Sequence, residues 1–569
     1  MRSRRGTWYF AKAGQALLTL MLVSGLTAQI PETRPRIGIP QDWSHHHVRF
    51  SSATLRAHPE LARDPRAAMQ LYRDSFRQAY AAFHNSLSPA SSIFSTVSEP
   101  HRDWSVSLGT GRIAPDNYPA KWQADPTALP SCTTDYVVMA LNVAGVSGAT
   151  GQPSIVGLNN LYAGGANPLC TNPSNQPSFL FSYNTTTLPA AAQGRILTSP
   201  VLSIDGKKVA FIETSTVAGQ HTSVLHVLNI PAAGAIQFTY QPVVTPPGGA
   251  MSSKTLAAFS NTRSSPFLDY NTDTIYVGLD DGKVYKITGV FNGTPTVAGA
   301  PWPVLTHLNS FLSSPLVDTV TGQLFVGAGN GVLYTFNINS PPAAATAIQV
   351  GKAGGTNPGI LDTPILDATG GSLFAITSNA ANIPGAAVVQ VSETSPFPIL
   401  ANAPIGLGSS GGTSINLYNG DFDNSYFTNP NLTLGHMLVC GTGPADTSPY
   451  RYLLGFNASG VIQPGSSAQL STSTAARCGP VTDYFNPNIN GGTDFFFWSV
   501  TRNCPGFGNN GCVMALANGA TLTSAQELGG ASGILIDNDY VTKTGGSSIY
   551  FSTEGVPLNA VKLTQQGLQ

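Results

Sequence analysis

The sequence predicts an all-β chain folded as a β-propeller of seven or eight blades, with eight favoured, and a short helical extension at its N-terminus. The first observation is a recurring phrase, Ser-Ser-Pro-x-x-Asp, which begins at Ser264 and again at Ser313. Each copy precedes a strand, a glycine turn and another strand, and a strand-only repeat of about 50 residues is typical of propeller blades. The second observation is composition: 59 glycines and 42 prolines in a chain that is 42% hydrophobic indicate short strands and tight turns rather than disorder.

A blade is a four-stranded antiparallel sheet whose strands run outward from the axis, and the phrase supplies its inner strand. In the two clear copies, the second and third strands are predicted at 274–278 and 283–287, and at 323–327 and 332–336. Six further inner strands are predicted at Pro119–Gln123, Thr198–Leu202, Asp362–Asp367, Ser414–Leu417, Gly479–Asp483 and Ser532–Asp537. The ring has seven blades if the first of these or the one near 414 is misassigned.

The propeller is predicted to span 103–569 and to be closed by strands from both ends of the chain. The last blade lacks an outer strand, because only six residues follow Leu563. Asp103–Leu108, just before the first blade, is expected to fill that position. Such a closure removes exposed sheet edges.

Residues 1–28 have the features of an export signal. Arg2, Arg4 and Arg5 precede an apolar run, Ala16–Leu26, that is too short to cross a membrane. Export by the general secretory route is favoured, and the twin-arginine route is left open. No second apolar segment of about 20 residues follows, so we expect a periplasmic or extracellular protein without a transmembrane segment.

Residues 29–102 form a predicted extension with an amphipathic helix over about 65–84. Asp64 and Pro65 supply an N-cap and a first-turn proline. Apolar residues follow at helical spacing, at Met69, Tyr72, Phe76, Tyr80 and Phe83. Packing of this helix on the propeller is the favoured interpretation, and attachment to a partner or surface is the alternative.

The six cysteines indicate disulfides, because an even count is typical of exported proteins. Pairing of neighbours is expected, at Cys132–Cys170, Cys440–Cys478 and Cys504–Cys512, although fifteen connectivities exist. A zinc site is the competing interpretation, but it needs closely spaced cysteine or histidine pairs.

Asp42, His45 and His47 are the candidate metal ligands. Two histidines separated by one residue of an extended segment point to the same side, where Asp42 can join them. A packing or surface role for these histidines is the favoured alternative.

The blade phrase resembles the repeat of quinoprotein-like (pyrroloquinoline-quinone-type) propellers, best between about 198 and 376. The chain is also similar to secreted bacterial propellers of unassigned function, in the phrases Asp42–His47, Asp103–Ser107, Ser154–Asn160 and Ala560–Gln565. The first resemblance implies a propeller and, in the dehydrogenases of that superfamily, a quinone beside a base and a divalent cation. This chain lacks their adjacent cysteines and tryptophan-docking consensus. Quinone binding is therefore not expected, no cofactor is predicted, and a divalent metal is left open.

The phrase ends in an aspartate, at Asp269, Asp318, Asp367 and Asp483. A catalytic carboxylate is needed once, whereas a residue that caps a turn is needed in each blade. These aspartates are therefore expected to be structural, and no catalytic residue is predicted.

The balance of 28 basic and 29 acidic residues argues against a nucleic-acid partner. We expect a monomeric, secreted, non-catalytic propeller that binds protein or glycan partners or serves as a scaffold. The alternative is an extracellular polysaccharide lyase or hydrolase with its site at the propeller mouth. A cluster of ionisable side chains from three or more blades at that mouth would favour the enzyme.

Overall fold

Eight sheets, each built on four antiparallel strands, form an eight-bladed propeller and confirm the predicted fold. The computed structural model describes residues 38–72, 100–125, 130–143, 145–146, 151–165, 168–185, 193–217, 220–232, 238, 246, 248–258, 260–352, 358–368, 370–429, 431–486, 492–537 and 548–564. The predicted export signal and the second half of the predicted helix lie outside these residues.

The first four blades follow one another along the chain. Blade 1 consists, from the axis outward, of Ala120–Gln123, Tyr136–Ala140, Ile155–Asn159 and Ser178–Tyr183. Blade 2 consists of Val201–Leu202, Lys208–Val217, Gln220–Asn229 and Met251–Ala258, with Gln193–Ile196 and Gly145–Val146 added beside its long second strand. Blade 3 consists of Phe267–Asp269, Thr274–Gly278, Lys283–Thr288 and Thr296–Val297, with Val304–Leu305 also on its third strand. Blade 4 consists of Leu316–Asp318, Gln323–Gly327, Val332–Asn337 and Thr346–Gln349.

The remaining blades include the one whose position the sequence predicted least well. Blade 5 consists of Ile365–Asp367, Ser372–Thr377, Ala387–Ser392 and Ile399–Pro404, and blade 6 of Asp421–Phe422, His436–Thr442, Pro449–Phe456 and Ile462–Gln469. Blade 7 consists of Thr482–Asn486, Thr493–Val500, Cys512–Ala517 and Thr521–Gln526, and blade 8 of Leu535–Asp537, Ser548–Ser552, Leu558–Thr564 and His101–Gly109. The inner strand of blade 6 is thus not the predicted Ser414–Leu417. A short helix, Asn424–Thr428, and a 3₁₀ turn, Leu432–Leu434, lengthen its connection to the second strand.

The two serines of the repeated phrase have different structural roles. The first binds within its own blade, because the hydroxyl of Ser264 accepts a hydrogen bond from the backbone N–H of Gly278 at 2.9 Å. The second binds between blades: the backbone N–H of Ser265 donates to the hydroxyl of Ser314 at 2.7 Å. The backbone N–H of Ser199 donates in the same way to the hydroxyl of Ser265, at 2.8 Å. The phrase therefore links successive inner strands around the axis.

The aspartates that end the phrase bind their own turns, as predicted, in blades 3 and 4. The carboxylate of Asp269 accepts from the backbone N–H of Asn271 at 3.0 Å, and Asp318 binds its own turn in the same way. Asp367 accepts from the hydroxyl of Tyr426 at 2.7 Å. Asp483 lies beside a cavity, and its Oδ1 has no partner among the described residues.

The ring closes where blade 8 takes its outer strand from the N-terminal side of the propeller. The strand expected over Asp103–Leu108 is His101–Gly109, and it pairs with Leu558–Thr564. Across this pairing the buried ammonium of Lys562 lies 2.8 Å from the carboxylate of Asp103. A second buried pair, Lys121–Asp537 at 2.7 Å, joins the inner strands of blades 1 and 8.

Residues 38–72, which we call the N-terminal crossing, run across the axial channel. Ile39–Gln41 pairs with the inner strand of blade 1, and Val48–Arg49 pairs in parallel with the inner strand of blade 5. The two strands are joined by a 3₁₀ turn, Trp43–His46, whose buried tryptophan donates from Nε1 to the carbonyl oxygen of Pro266 at 3.0 Å. These anchors place the segment inside the ring, on the axial edges of the blades.

Helical turns make up the second part of this segment. A helix at Ser52–Ala57 and a 3₁₀ turn at Pro59–Arg63 precede the predicted helix, which begins at 65 and is described as far as 72. Asp64 caps it by accepting from the backbone N–H of Arg66 at 2.9 Å. Met69 is buried, as its place on the apolar face predicts.

The three predicted disulfides are confirmed, at Cys132–Cys170, Cys440–Cys478 and Cys504–Cys512. The first joins two loops of blade 1, and the other two each tie a loop to a strand, in blades 6 and 7. None of the helices in the described part of the chain has the length and apolar character needed to cross a membrane.

Replacing Lys562 by Met is expected to destabilise the protein by about 3–5 kcal/mol, because it leaves Asp103 buried without its cation. Urea unfolding followed by tryptophan fluorescence measures this loss. Lys207→Met is the matched control, since Lys207 is 79% exposed and its pair with Asp205 is expected to contribute little. Equal stability of the two variants would show that the buried pair does not hold the closure.

Candidate functional site

Ionisable side chains gather at the axis on the face where the inner strands begin. In a blade, the segment entering the inner strand and the turn between the second and third strands lie at the same end, because antiparallel strands alternate in direction. Six blades contribute to this end, through Asp116, Tyr118, Arg263, Asp362, Tyr418, Arg477 and Glu554. We call these seven residues the axial cluster.

Asp362 has the best-defined surroundings in the axial cluster. Its side chain is buried, with Oδ1 accepting from the backbone N–H of Thr363 at 2.7 Å and Oδ2 from that of Asn419 at 3.0 Å. Burial, reinforced by the charge of Asp116, raises its pKa to about 7 in spite of these hydrogen bonds. Near neutral pH this carboxyl group can therefore both donate and accept.

Glu554 faces the same space from blade 8. Burial and the charge of Asp116 raise its pKa to about 8, although the guanidinium of Arg477 opposes the shift. Its Oε1 is buried without a hydrogen-bond partner among the described residues. Burial also raises the pKa of Asp116, and Arg263 offsets part of that effect. Because both arginines are exposed, the cluster has carboxyl groups inside and guanidinium groups at its rim.

The N-terminal crossing forms the floor of the axial cluster. His46 stacks on Tyr118 with ring centroids 4.9 Å apart, and His47 meets the same ring edge-on at 6.2 Å. The side-chain amide of Asn419 donates to Nδ1 of His47 at 2.5 Å. Gly533 leaves room for the tyrosine, because a Cβ at that position would lie 2.5 Å from its ring.

Two of the predicted metal ligands form a local turn instead. The carboxylate of Asp42 accepts from the backbone N–H of Ser44 at 2.8 Å and from the hydroxyl of Tyr270 at 3.1 Å. Nδ1 of His45 accepts from the backbone N–H of Asp42 at 3.2 Å, which completes a capping box. Burial opposes ionisation of Asp42, but hydrogen bonding and nearby positive charge, including that of Arg66, lower its pKa to about 2.

His47, the third predicted ligand, turns toward Asn419 rather than toward Asp42 and His45. Burial, with the charge of Arg49, lowers its pKa to about 3, so its ring is neutral. Within the described ranges, no group of three or more histidine, cysteine, aspartate or glutamate side chains is placed to hold a metal ion. Asp42, His45 and His47 therefore do not assemble such a site in this structure.

The sequence predicted no functional role for any residue of the axial cluster, although it carries one signal of such a role. Asp362 occupies the position that Ser264 and Ser313 hold in the clear copies of the phrase. A carboxyl group in place of the structural hydroxyl marks blade 5 as different. Glu554 and Arg477 lie in connections of ordinary composition and carry no comparable mark.

No protein-family model matches the chain, and no curated protein is significantly similar to it. Solved structures with a similar fold include BamB from Moraxella catarrhalis, Sqt1 from Saccharomyces cerevisiae and the Dos1 propeller, each 10% identical to this chain. The alignments cover 81%, 81% and 82% of this chain and 97%, 98% and 95% of those proteins, with TM-scores of 0.38, 0.43 and 0.46. Similarity at this level carries no argument about activity.

The raised pKa of Asp362 predicts that its contribution to the stability of the fold decreases as the pH rises. A carboxyl group whose pKa is higher in the folded than in the unfolded chain stabilises the fold at low pH, and this contribution is lost as the pH rises from about 4 through about 7. Asp362→Asn is therefore expected to reduce the fall in melting temperature between about pH 5 and about pH 8. Thermal unfolding at both pH values measures it, with the exposed Asp205→Asn as control. Identical falls in wild type and Asp362→Asn would contradict the assignment.

Proposed function

We propose that this chain is a glycan-binding propeller whose ligand occupies the axial cluster. The convergence of Asp362, Tyr418 and Glu554, from three blades, at one mouth of the channel is the observation that carries the proposal. Carboxyl groups that stay protonated near neutral pH can donate and accept hydrogen bonds, as saccharide hydroxyls also do. Ligand sites commonly combine a concave place on the fold with a few convergent polar groups of perturbed pKa.

The rim of the axial cluster favours acidic glycans. Arg263 and Arg477 are exposed there, above carboxyl groups whose pKa values are raised by burial. Guanidinium groups bind carboxylates in a planar, two-point geometry. Polysaccharides that contain uronic acids have both the hydroxyls for the interior and the carboxylates for the rim.

An exported, monomeric protein suits this role. The three disulfides support an oxidising compartment, where glycans of cell surfaces and extracellular matrices are accessible. The export signal predicted at 1–28 points to the same location. Exposed large apolar residues, such as Leu308 and Val556, are few in the part of the chain that the structure describes, which favours a small ligand over an extended protein interface.

Hydrolysis of the bound glycan is a second candidate, favoured by the same convergence of side chains from several blades. A carboxyl group with a pKa of about 7 or 8, as in Asp362 or Glu554, is suited to protonate a leaving group. Asp116 supplies a second carboxyl group, and its charge contributes to the raised pKa of both Asp362 and Glu554. Glycosidases commonly use such a pair, one as acid and one as base or nucleophile.

A glycan array probed with residues 29–569 tests the binding proposal. Retention of uronate-containing oligosaccharides is expected, with at least a tenfold loss of affinity in the double variant Asp362→Ala/Glu554→Ala because both positions lose their hydrogen-bond donor and acceptor atoms. Asp205→Asn, an exposed substitution away from the axial cluster, is expected to bind like wild type. Binding confined to background, or unchanged in the double variant, would refute the proposal. Release of new reducing ends from a retained glycan would identify the hydrolase.

A further inference from the structure

A separate small cavity lies between the N-terminal crossing and blades 6 and 7. Its volume is about 50 Å³, and its polar lining includes His45, Arg49, Arg66 and Gln70 of residues 38–72, Asn424 of blade 6 and Asp483 of blade 7. Met69 and Phe427 are among the apolar residues that complete the wall. None of these residues belongs to the axial cluster.

Four buried side-chain atoms around this cavity have no hydrogen-bond partner among the described residues. They are Nε2 of His45, Nε of Arg49, Oδ1 of Asn424 and Oδ1 of Asp483. Buried polar atoms in native proteins are nearly always paired, with protein, water or a ligand. Four such atoms lining one cavity therefore indicate that it holds a polar occupant.

The other atoms of these side chains are fixed by partners, which determines what each free atom offers. Nδ1 of His45 accepts from a backbone N–H, so its Nε2 carries the proton of the neutral ring and is a donor. A terminal nitrogen of Arg49 pairs with Asp421, which leaves its Nε–H free to donate. The amide nitrogen of Asn424 donates to Thr428 at 3.2 Å, so its Oδ1 is an acceptor.

Asp483 adds a donor to this set. Burial, with the charges of Asp494 and Asp421, raises the pKa of its carboxyl group well above the usual range, which favours the protonated, donating form. The cavity thus presents two N–H donors, a carboxyl group that can donate, and one amide oxygen that accepts. A carboxylate can accept from all three donors, and a hydroxyl on the same molecule can donate to the amide oxygen.

We propose that this cavity is a binding site for a small hydroxycarboxylate, held through its carboxylate by Arg49 and His45 and through its hydroxyl by Asn424. The size agrees, since a cavity of about 50 Å³ has room for roughly three to five water-sized positions, which is the number of heavy atoms in a two-carbon hydroxy acid. The site is independent of the glycan proposal, because it shares no residue with the axial cluster.

Thermal unfolding of residues 29–569 titrated with glycolate, at constant ionic strength set by chloride, tests the proposal. Glycolate is expected to raise the melting temperature in a saturable manner, and acetate, which lacks the hydroxyl, to bind at least fivefold more weakly. Arg49→Lys keeps a cation for Asp421 but lacks the Nε–H. This variant is expected to bind glycolate at least tenfold more weakly than wild type. Asp362→Asn, in the axial cluster, is expected to bind glycolate like wild type.

A second variant guards against failure of Arg49→Lys to fold. Asn424→Ala removes the acceptor, together with an exposed hydrogen bond to Thr428, on a partly exposed short helix, and is expected to abolish the preference for glycolate over acetate. Glycolate that stabilises no more than chloride would show that water alone fills the cavity and would overturn the proposal. Equal binding of glycolate and acetate by wild type would overturn the role assigned to Asn424.

Discussion

Hydrogen bonds between the inner strands of neighbouring blades hold the ring together, and every site on its axis depends on them. Backbone N–H groups of Tyr118, Ser199 and Ser265 each donate to a serine hydroxyl of the following blade. Where the ring closes, between blades 8 and 1, the buried pair Lys121–Asp537 takes that place. A buried, charge-assisted contact is directional and is strongly destabilising when one partner is lost, so it favours a single register at the closure.

The axial cluster arises where this pattern of links changes. In blade 5 a carboxyl group, Asp362, replaces the first serine of the phrase, whose hydroxyl elsewhere binds within its own blade, and it accepts from the backbone N–H of Asn419 in blade 6. Blades 5 and 6 thus gain a link whose acceptor is an ionisable group at the axis. Glu554 and Asp116 add further carboxyl groups, whose mutual repulsion and burial favour protonated forms. One position therefore serves both the architecture and the chemistry of the mouth.

Blade number, the order of the strands and the three disulfides could be predicted because they follow from local repeats and from spacing along the chain. The axial cluster could not, since its members come from six blades and meet only when the ring closes. Arg66 shows the same limit on a smaller scale. The helical pattern places it beside an apolar face, but it is 3% exposed, paired with Asp64 and bound to the carbonyl oxygen of Leu268. Leu268 lies in the inner strand of blade 3, and no helical period reveals that contact.

The N-terminal crossing couples two chemically different sites. His46 and His47 meet Tyr118 and Asn419 beneath the axial cluster, whereas His45 lines the separate cavity with Arg49. This division arises because the tight turn sends consecutive side chains in different directions, while strands on blades 1 and 5 hold both of its ends. A displacement of the crossing would alter both sites at once. The segment is therefore a shared wall, and the geometry of either site depends on the same anchors.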